Sequence, residues 1–311
     1  MFHKTLASSD NPGEEMDFPP VEAHMAFQEL ALTKIDEFVQ RSFSSLNGHP
    51  HLYHYTGHKV VVDSLKRDGR FWATSASHMS DSNELRYGAE MVTEVLDAFL
   101  EHNPMLPFAI REFVDMAKER ANPYSNDFTD QIETFFVCFS ESGDLEHQWK
   151  HYANDAKGYC IHLDVMPPFA DPGSGQSIEL LRQNVQFLKV VYDRQEQYQL
   201  ITEALRDFVN LLQDSTDKYG LGAMMFGMNA SVGLYDVLRY YVMSFKDASK
   251  YANEKEWRCV YGMSNFANRN YPVRERQLRE RNVPYVEMPL ISAAGPLTIR
   301  QVKAGVNCVN P

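Results

Sequence analysis

The run Thr134-Phe135-Phe136-Val137-Cys138-Phe139-Ser140 places aromatic and β-branched residues at successive rather than alternate positions. Side chains of a strand point alternately to two faces, so a strand apolar on both must be covered on both. The run predicts a buried, central strand in a layered fold. A chain of 311 residues, 44% hydrophobic and 23% charged, can build that core as one large domain or two small ones.

The surrounding pattern favours one α+β domain over residues 20–311, with a mixed or antiparallel split sheet and helical insertions. Residues 1–19 hold Pro12, Gly13, Pro19 and four acidic residues without periodicity, and read as a flexible arm. Val21 to about Leu46 is predicted helical from Met25, Phe27, Leu30, Leu32, Ile35, Phe38 and Val39, and Asn47-Gly48 ends it. Leu52 to Thr56 and Phe71 to Thr74 read as strands joined by a short helix from Val60 to Arg67, stopped at Asp68-Gly69. Helices are expected at Leu85–Leu100, after a start signal at Asp81-Ser82-Asn83-Glu84, and at Pro107–Arg120, Leu145–Ala153, Glu196–Asp214 and Met224–Lys250. Gly158 to Leu163 is expected as the hairpin-like neighbour of the central strand, and Pro167 to Gly175 as a loop. Further strands are expected at Gln186–Tyr192, Glu256–Tyr261, Pro284–Pro289 and Leu297–Val302.

Composition narrows the partners. Thirty Lys and Arg against 42 Asp and Glu give a net charge of −12, which repels phosphate backbones and anionic lipid, so general nucleic-acid binding and a membrane role are not expected. No run approaches a membrane span, and Glu14, Glu15 and Asp17 stand where a signal peptide would be apolar. Four cysteines without paired spacing read as core residues of a reducing compartment, so the expected location is cytoplasmic, in the producing cell or in one to which the protein is delivered. All 11 histidines lie between His3 and His162. The phosphate-binding loop, the Gly-x-Ser-x-Gly elbow and the full dinucleotide glycine pattern are missing.

Three groups of residues carry chemistry. His54 shares a strand face with Leu52 and Thr56, where an imidazole is either a ligand or a core histidine satisfied by a backbone carbonyl. Glu254, Glu256 and Arg258 alternate within Glu254-Lys255-Glu256-Trp257-Arg258, as a functional cleft or a solvated edge. His147 and His151 have the spacing of zinc ligands on a helix, but no glutamate stands between them in the metalloprotease arrangement and no third ligand is evident, so no metal is expected.

The order of motifs resembles a bacterial family, domain-of-unknown-function family 2971. The blocks are Leu52-Tyr53-His54-Tyr55-Thr56, Phe71-Trp72-Ala73-Thr74-Ser75, Asp81-Ser82-Asn83-Glu84, Cys138-Phe139-Ser140-Glu141, Gln148-Trp149-Lys150-His151-Tyr152-Ala153, Lys157-Gly158-Tyr159-Cys160 and Glu254-Lys255-Glu256-Trp257-Arg258, within a family-like core at about 51–261. The chain departs from that pattern at Ser80-Asp81-Ser82, where the family has an Asn-Asp-Pro-like turn. A looser resemblance is to the ADP-ribosyltransferase superfamily, and it implies an enzyme that cleaves NAD and transfers ADP-ribose to a macromolecule or to water, as a toxin, effector or defence component. It implies that His54 holds the NAD ribose, that Thr74 or Ser75 supports the nicotinamide ribose, and that Glu256 promotes loss of nicotinamide. A fixed carboxylate stabilises the oxocarbenium-like cation of that step. Tyr55 or Trp72 would stack on nicotinamide, Arg258 would meet the pyrophosphate, and Thr56, Ser140, Trp149, His151 and Tyr152 would line or buttress the same cleft. The alternative is a non-catalytic nucleotide-binding or regulatory module of a bacterial defence system.

Overall fold

Among the described residues of the computed structural model, nine strands join in one antiparallel sheet. The structure describes residues 21–45, 51–61, 65–79, 84–121, 134–165, 185–219, 223–262, 271–278, 281–290 and 297–308. The arm at 1–19, the turns at 47–48 and 80–83 and the loop at 167–175 lie outside them. The strands are β1 His51–Thr56, β2 Phe71–Ser75, β3 Phe135–Ser140, β4 Tyr159–Val165, β5 Val185–Lys189, β6 Glu256–Tyr261, β7 Arg274–Leu278, β8 Arg281–Met288 and β9 Leu297–Ala304. The longer helices are α1 Val21–Ser44, α2 Glu84–His102, α3 Phe108–Ala121, α5 Arg194–Tyr219 and α6 Ala223–Ser244, with the short α4 Glu146–His151 between β3 and β4.

β3 is central, as its composition requires. One edge pairs with β6 along its whole length, while the other is shared, with Phe135 and Phe136 paired to β2 and Ser140 paired to Tyr53 of β1. β1 and β2 therefore diverge, and the sheet splits there. β3 is also buried on both faces: Phe136 belongs to a core shared with α1, α2, α3, α5 and α6, while Phe135, Val137 and Phe139 belong to a second core. That second core draws residues from β1, β2, β3, β4, β5, β6, β8 and β9, because the sheet curls around it. A glycine allows one close helix crossing: a Cβ on Gly88 would lie 2.5 Å from the Val242 carbonyl oxygen.

Several expectations change. β4 pairs with β1 and β9, not with β3, because β1 occupies the shared edge between them. In α1, Met25 and Leu32 are exposed while Ala23 and Ala31 join Phe27, Ile35 and Phe38 on the buried face, since four-residue steps keep the contact stripe in line. The helix expected over Val60–Arg67 is helical at His58–Val60 and Lys66–Asp68, with Val61 and Leu65 in π-helical geometry and 62–64 outside the described residues, and it stops at left-handed Gly69, the stop expected at Asp68-Gly69. The helix expected over Met224–Lys250 ends at Ser244, where Phe245 forms a bridge to Val191. β7 was not anticipated, because Arg274-Glu275-Arg276-Gln277 lacks an apolar stripe. No helix among the described residues is long and apolar enough to cross a membrane.

Candidate functional site

Register decides which residues can meet. Tyr53 pairs with Ser140, and Ser140 pairs with Glu256, so these three share the face that looks toward the helices. His54, Phe139 and Trp257 occupy the next row and point to the opposite face. Glu256 and His54 are thus separated by the sheet, and the single cleft expected to hold both is not formed.

The helix face carries a buried charge network. Where α6 ends, Lys246 donates its backbone N–H to the Val191 carbonyl, and Gln197 donates to the carbonyls of both Val191 and Lys246. This anchorage turns the Lys246 side chain into the protein, where Nζ lies 2.8 Å from Glu254 Oε2 and 2.6 Å from Glu256 Oε2. Glu254 closes a short 3-10 turn rather than starting the strand, and left-handed Lys255, at φ 47°, brings both carboxylates to one ammonium. Arg258 is fully buried, donating through Nε to Glu256 Oε1 at 2.9 Å and through Nη1 to the Met243 carbonyl at 2.7 Å, with its guanidinium over Phe136. The row is therefore not a solvated edge.

Electrostatics separate the two glutamates. Burial pushes the Glu256 carboxyl up, but Arg258 and Lys246 more than offset it and hold it at about 2. Both its oxygens are engaged by cations. Glu254 gives Oε2 to Lys246, while its Oε1 lies 3.9 Å from His147 Nε2, a buried nitrogen with no hydrogen-bond partner. Burial and the Glu254 carboxylate raise the Tyr152 phenol, and burial and Glu256 raise that of Tyr192, so both stay protonated. Ser140 donates to the Glu254 carbonyl. Chemically, this is a carboxylate backed by an ammonium and bordered by an imidazole and a phenol.

The remaining expected residues disperse. His54 donates from Nδ1 to the Cys138 carbonyl at 2.8 Å, in the gap left where β1 and β2 diverge, and packs on Phe71 and Phe139. It is the carbonyl-satisfied histidine. Tyr55 and Trp149 meet edge-to-face, the first tying Ser142 and Leu145, the second donating to Asp144. They brace the 141–145 loop. Trp72 and Thr74 lie under Arg276, which donates to Thr74 Oγ1 and sits over the Trp72 ring. Thr56 and Ser75 are buried and His151 is exposed. Of the expected set, the structure unites Glu256, Arg258, Ser140 and Tyr152.

Lys246 and the role of Glu254 escaped the sequence pattern, since the apolar run of α6 continues to Phe245. A signal was available: Asp247 accepts from the Ser249 N–H as the cap of a new helix, so Asp247-Ala248-Ser249 marks a break. The chain is thus a mixed α/β protein with a buried carboxylate–cation network. Residues 148–259 match the model of a family described as protein of unknown function (DUF2971), and over this segment the resemblance drawn from the motifs holds. The segment contains Tyr152, Lys246, Glu254, Glu256 and Arg258 but starts after β1 and His54. No curated protein and no solved structure matches the chain.

Proposed function

We propose that the chain is a cytoplasmic NAD-cleaving enzyme of ADP-ribosyltransferase type, transferring ADP-ribose to a macromolecule or to water, and that Glu254 rather than Glu256 carries the reaction. The observation that supports this reading is the pairing of Glu254 and Glu256 on Lys246, which leaves one oxygen of Glu254 facing His147. Glu256, saturated by two cations, fixes Lys246, and Lys246 orients Glu254. A carboxylate so held can stabilise the cation that develops on the ribose as nicotinamide leaves, and it needs no metal for that role. Tyr152, kept protonated, supplies a hydrogen-bond donor at the same edge.

The full neutralisation of Glu256 favours a second reading, a non-catalytic nucleotide-binding module in which the network is structural. Isotope-labelled NAD incubated with the protein and a cell lysate separates the two. The enzyme reading expects label transfer or NAD loss that falls at least about 100-fold in Glu254→Gln with binding retained, because the charge acts on the transition state. Intact NAD together with a raised melting temperature in its presence supports the binding module.

A further inference from the structure

Three residues outside this network converge on the β1–β4 ladder. His51 lies opposite Asp164 and Tyr53 opposite His162, so all four share one face. One ligand atom from each of His51, His162 and Asp164 lies within 4.8 Å of the other two. His162 Nε2 is buried without a hydrogen-bond partner. His51 Nδ1 sits 2.7 Å from Asp164 Oδ1 but lacks hydrogen-bonding alignment. Tyr53 stacks on His162 at 4.6 Å between centroids, and His51 meets it edge-on at 5.0 Å, which fixes both rings.

Buried imidazole nitrogens are ordinarily satisfied, so two in one cluster that make no hydrogen bond require an explanation. We propose that His51 Nδ1, His162 Nε2 and the Asp164 carboxylate form a binding site for a zinc-class divalent cation. Two imidazole donors disfavour calcium and magnesium, which take oxygen ligands, and suit zinc and its first-row neighbours. Ligand bonds of about 2.0–2.2 Å place donor atoms about 3–4 Å apart around such an ion, so binding draws together donor atoms that lie within 4.8 Å of one another in its absence. Three protein ligands leave a position for water or a substrate oxygen.

Arg300 competes for the same groups. Its Nη1 lies 3.3 Å from Asp164 Oδ1 and 3.3 Å from His51 Nε2. With Nδ1 on an ion, Nε2 carries the proton and no longer accepts from Arg300, so binding releases the guanidinium. Its half-exposed side chain can swing into solvent.

Zinc titration of the chelator-stripped full chain, by calorimetry with melting followed in parallel, tests the site. One equivalent should bind with micromolar or tighter affinity and raise the melting temperature, and His162→Ala or Asp164→Asn should weaken binding by about 100-fold or more. Arg300→Gln retains the three ligands and should tighten binding by about tenfold, because a competing charge is gone. That exposed substitution keeps the test decisive even where a ligand variant fails to fold. No stoichiometric binding at about 100 μM zinc, equal binding by a folded His162→Ala variant, or unchanged or weaker binding by Arg300→Gln would overturn the proposal.

Discussion

Glu256 and His54 lie on opposite faces of one sheet, and burial, which opposes charge on both, has had opposite outcomes. Glu256 keeps its charge because Arg258 and Lys246 are buried beside it. His54 gives its charge up: burial lowers its pKa to about 4, the hydrogen bond to Cys138 opposes this only in part, and Arg276 adds to the depression. Depth in the protein does not decide ionisation; the partner that the neighbouring strand or helix end supplies does.

The largest expected effect comes from breaking the paired side. Arg258→Ala leaves Glu256 on Lys246 alone, orphans the Met243 carbonyl and opens space beside Phe136. Removing one member of a buried ionic group costs about 3–5 kcal/mol, measurable by urea unfolding. A loss below about 1 kcal/mol would mean that Lys246 suffices and that the network is not one unit.

The next effect sharpens the contrast through pH. The His54 pKa is lower folded than unfolded, so the unfolded chain takes up its proton first. Its contribution is full above about pH 6.5 and is lost as pH falls toward 4, by about 3 kcal/mol in total. Glu256 is also depressed, so its contribution is present above its ordinary carboxylate pKa and is lost in a lower window, as pH falls toward about 2. His54→Gln should flatten the upper limb of the stability profile and leave the lower one. A profile identical to wild type would place the upper limb in other groups.

The smallest effect belongs to the same chemical pair moved to the surface. Arg194 Nη2 lies 2.7 and 2.6 Å from the two Glu94 oxygens, with both side chains more than half exposed. Glu94→Gln should cost about 0.5 kcal/mol or less, because water and salt screen such pairs. A cost matching that of Arg258→Ala would remove burial as the source of the difference.

Much of the fold was legible where one rule sufficed. Phe135–Ser140 could only be a covered strand, and the stop read at Asp68-Gly69 is there, made by Gly69 in the left-handed conformation. The site was less legible because alternation assigns a face within one strand but not between strands. Whether His54 and Glu256 share a side depends on the register of β1 on β3 and of β3 on β6, and a one-residue shift reverses it. Lys246 was hidden for a related reason: the apolar period of α6 runs up to it, and only the bridge of Phe245 to Val191 ends the helix there.

The sequence by itself determined the alternation of helices and strands, the central place of β3, the burial of Cys160 and Cys259, and the family resemblance over 148–259, since each rests on local pattern or motif order. Tertiary structure alone decided that Glu254, Glu256, Lys246 and Arg258 form one buried network, and that His51, His162 and Asp164 converge. These groups come from segments far apart in the chain, and only the pairing of strands and the packing of a helix end bring their charges within reach. Coulombic and ligand contacts depend on distance in space, which periodicity along the chain does not encode.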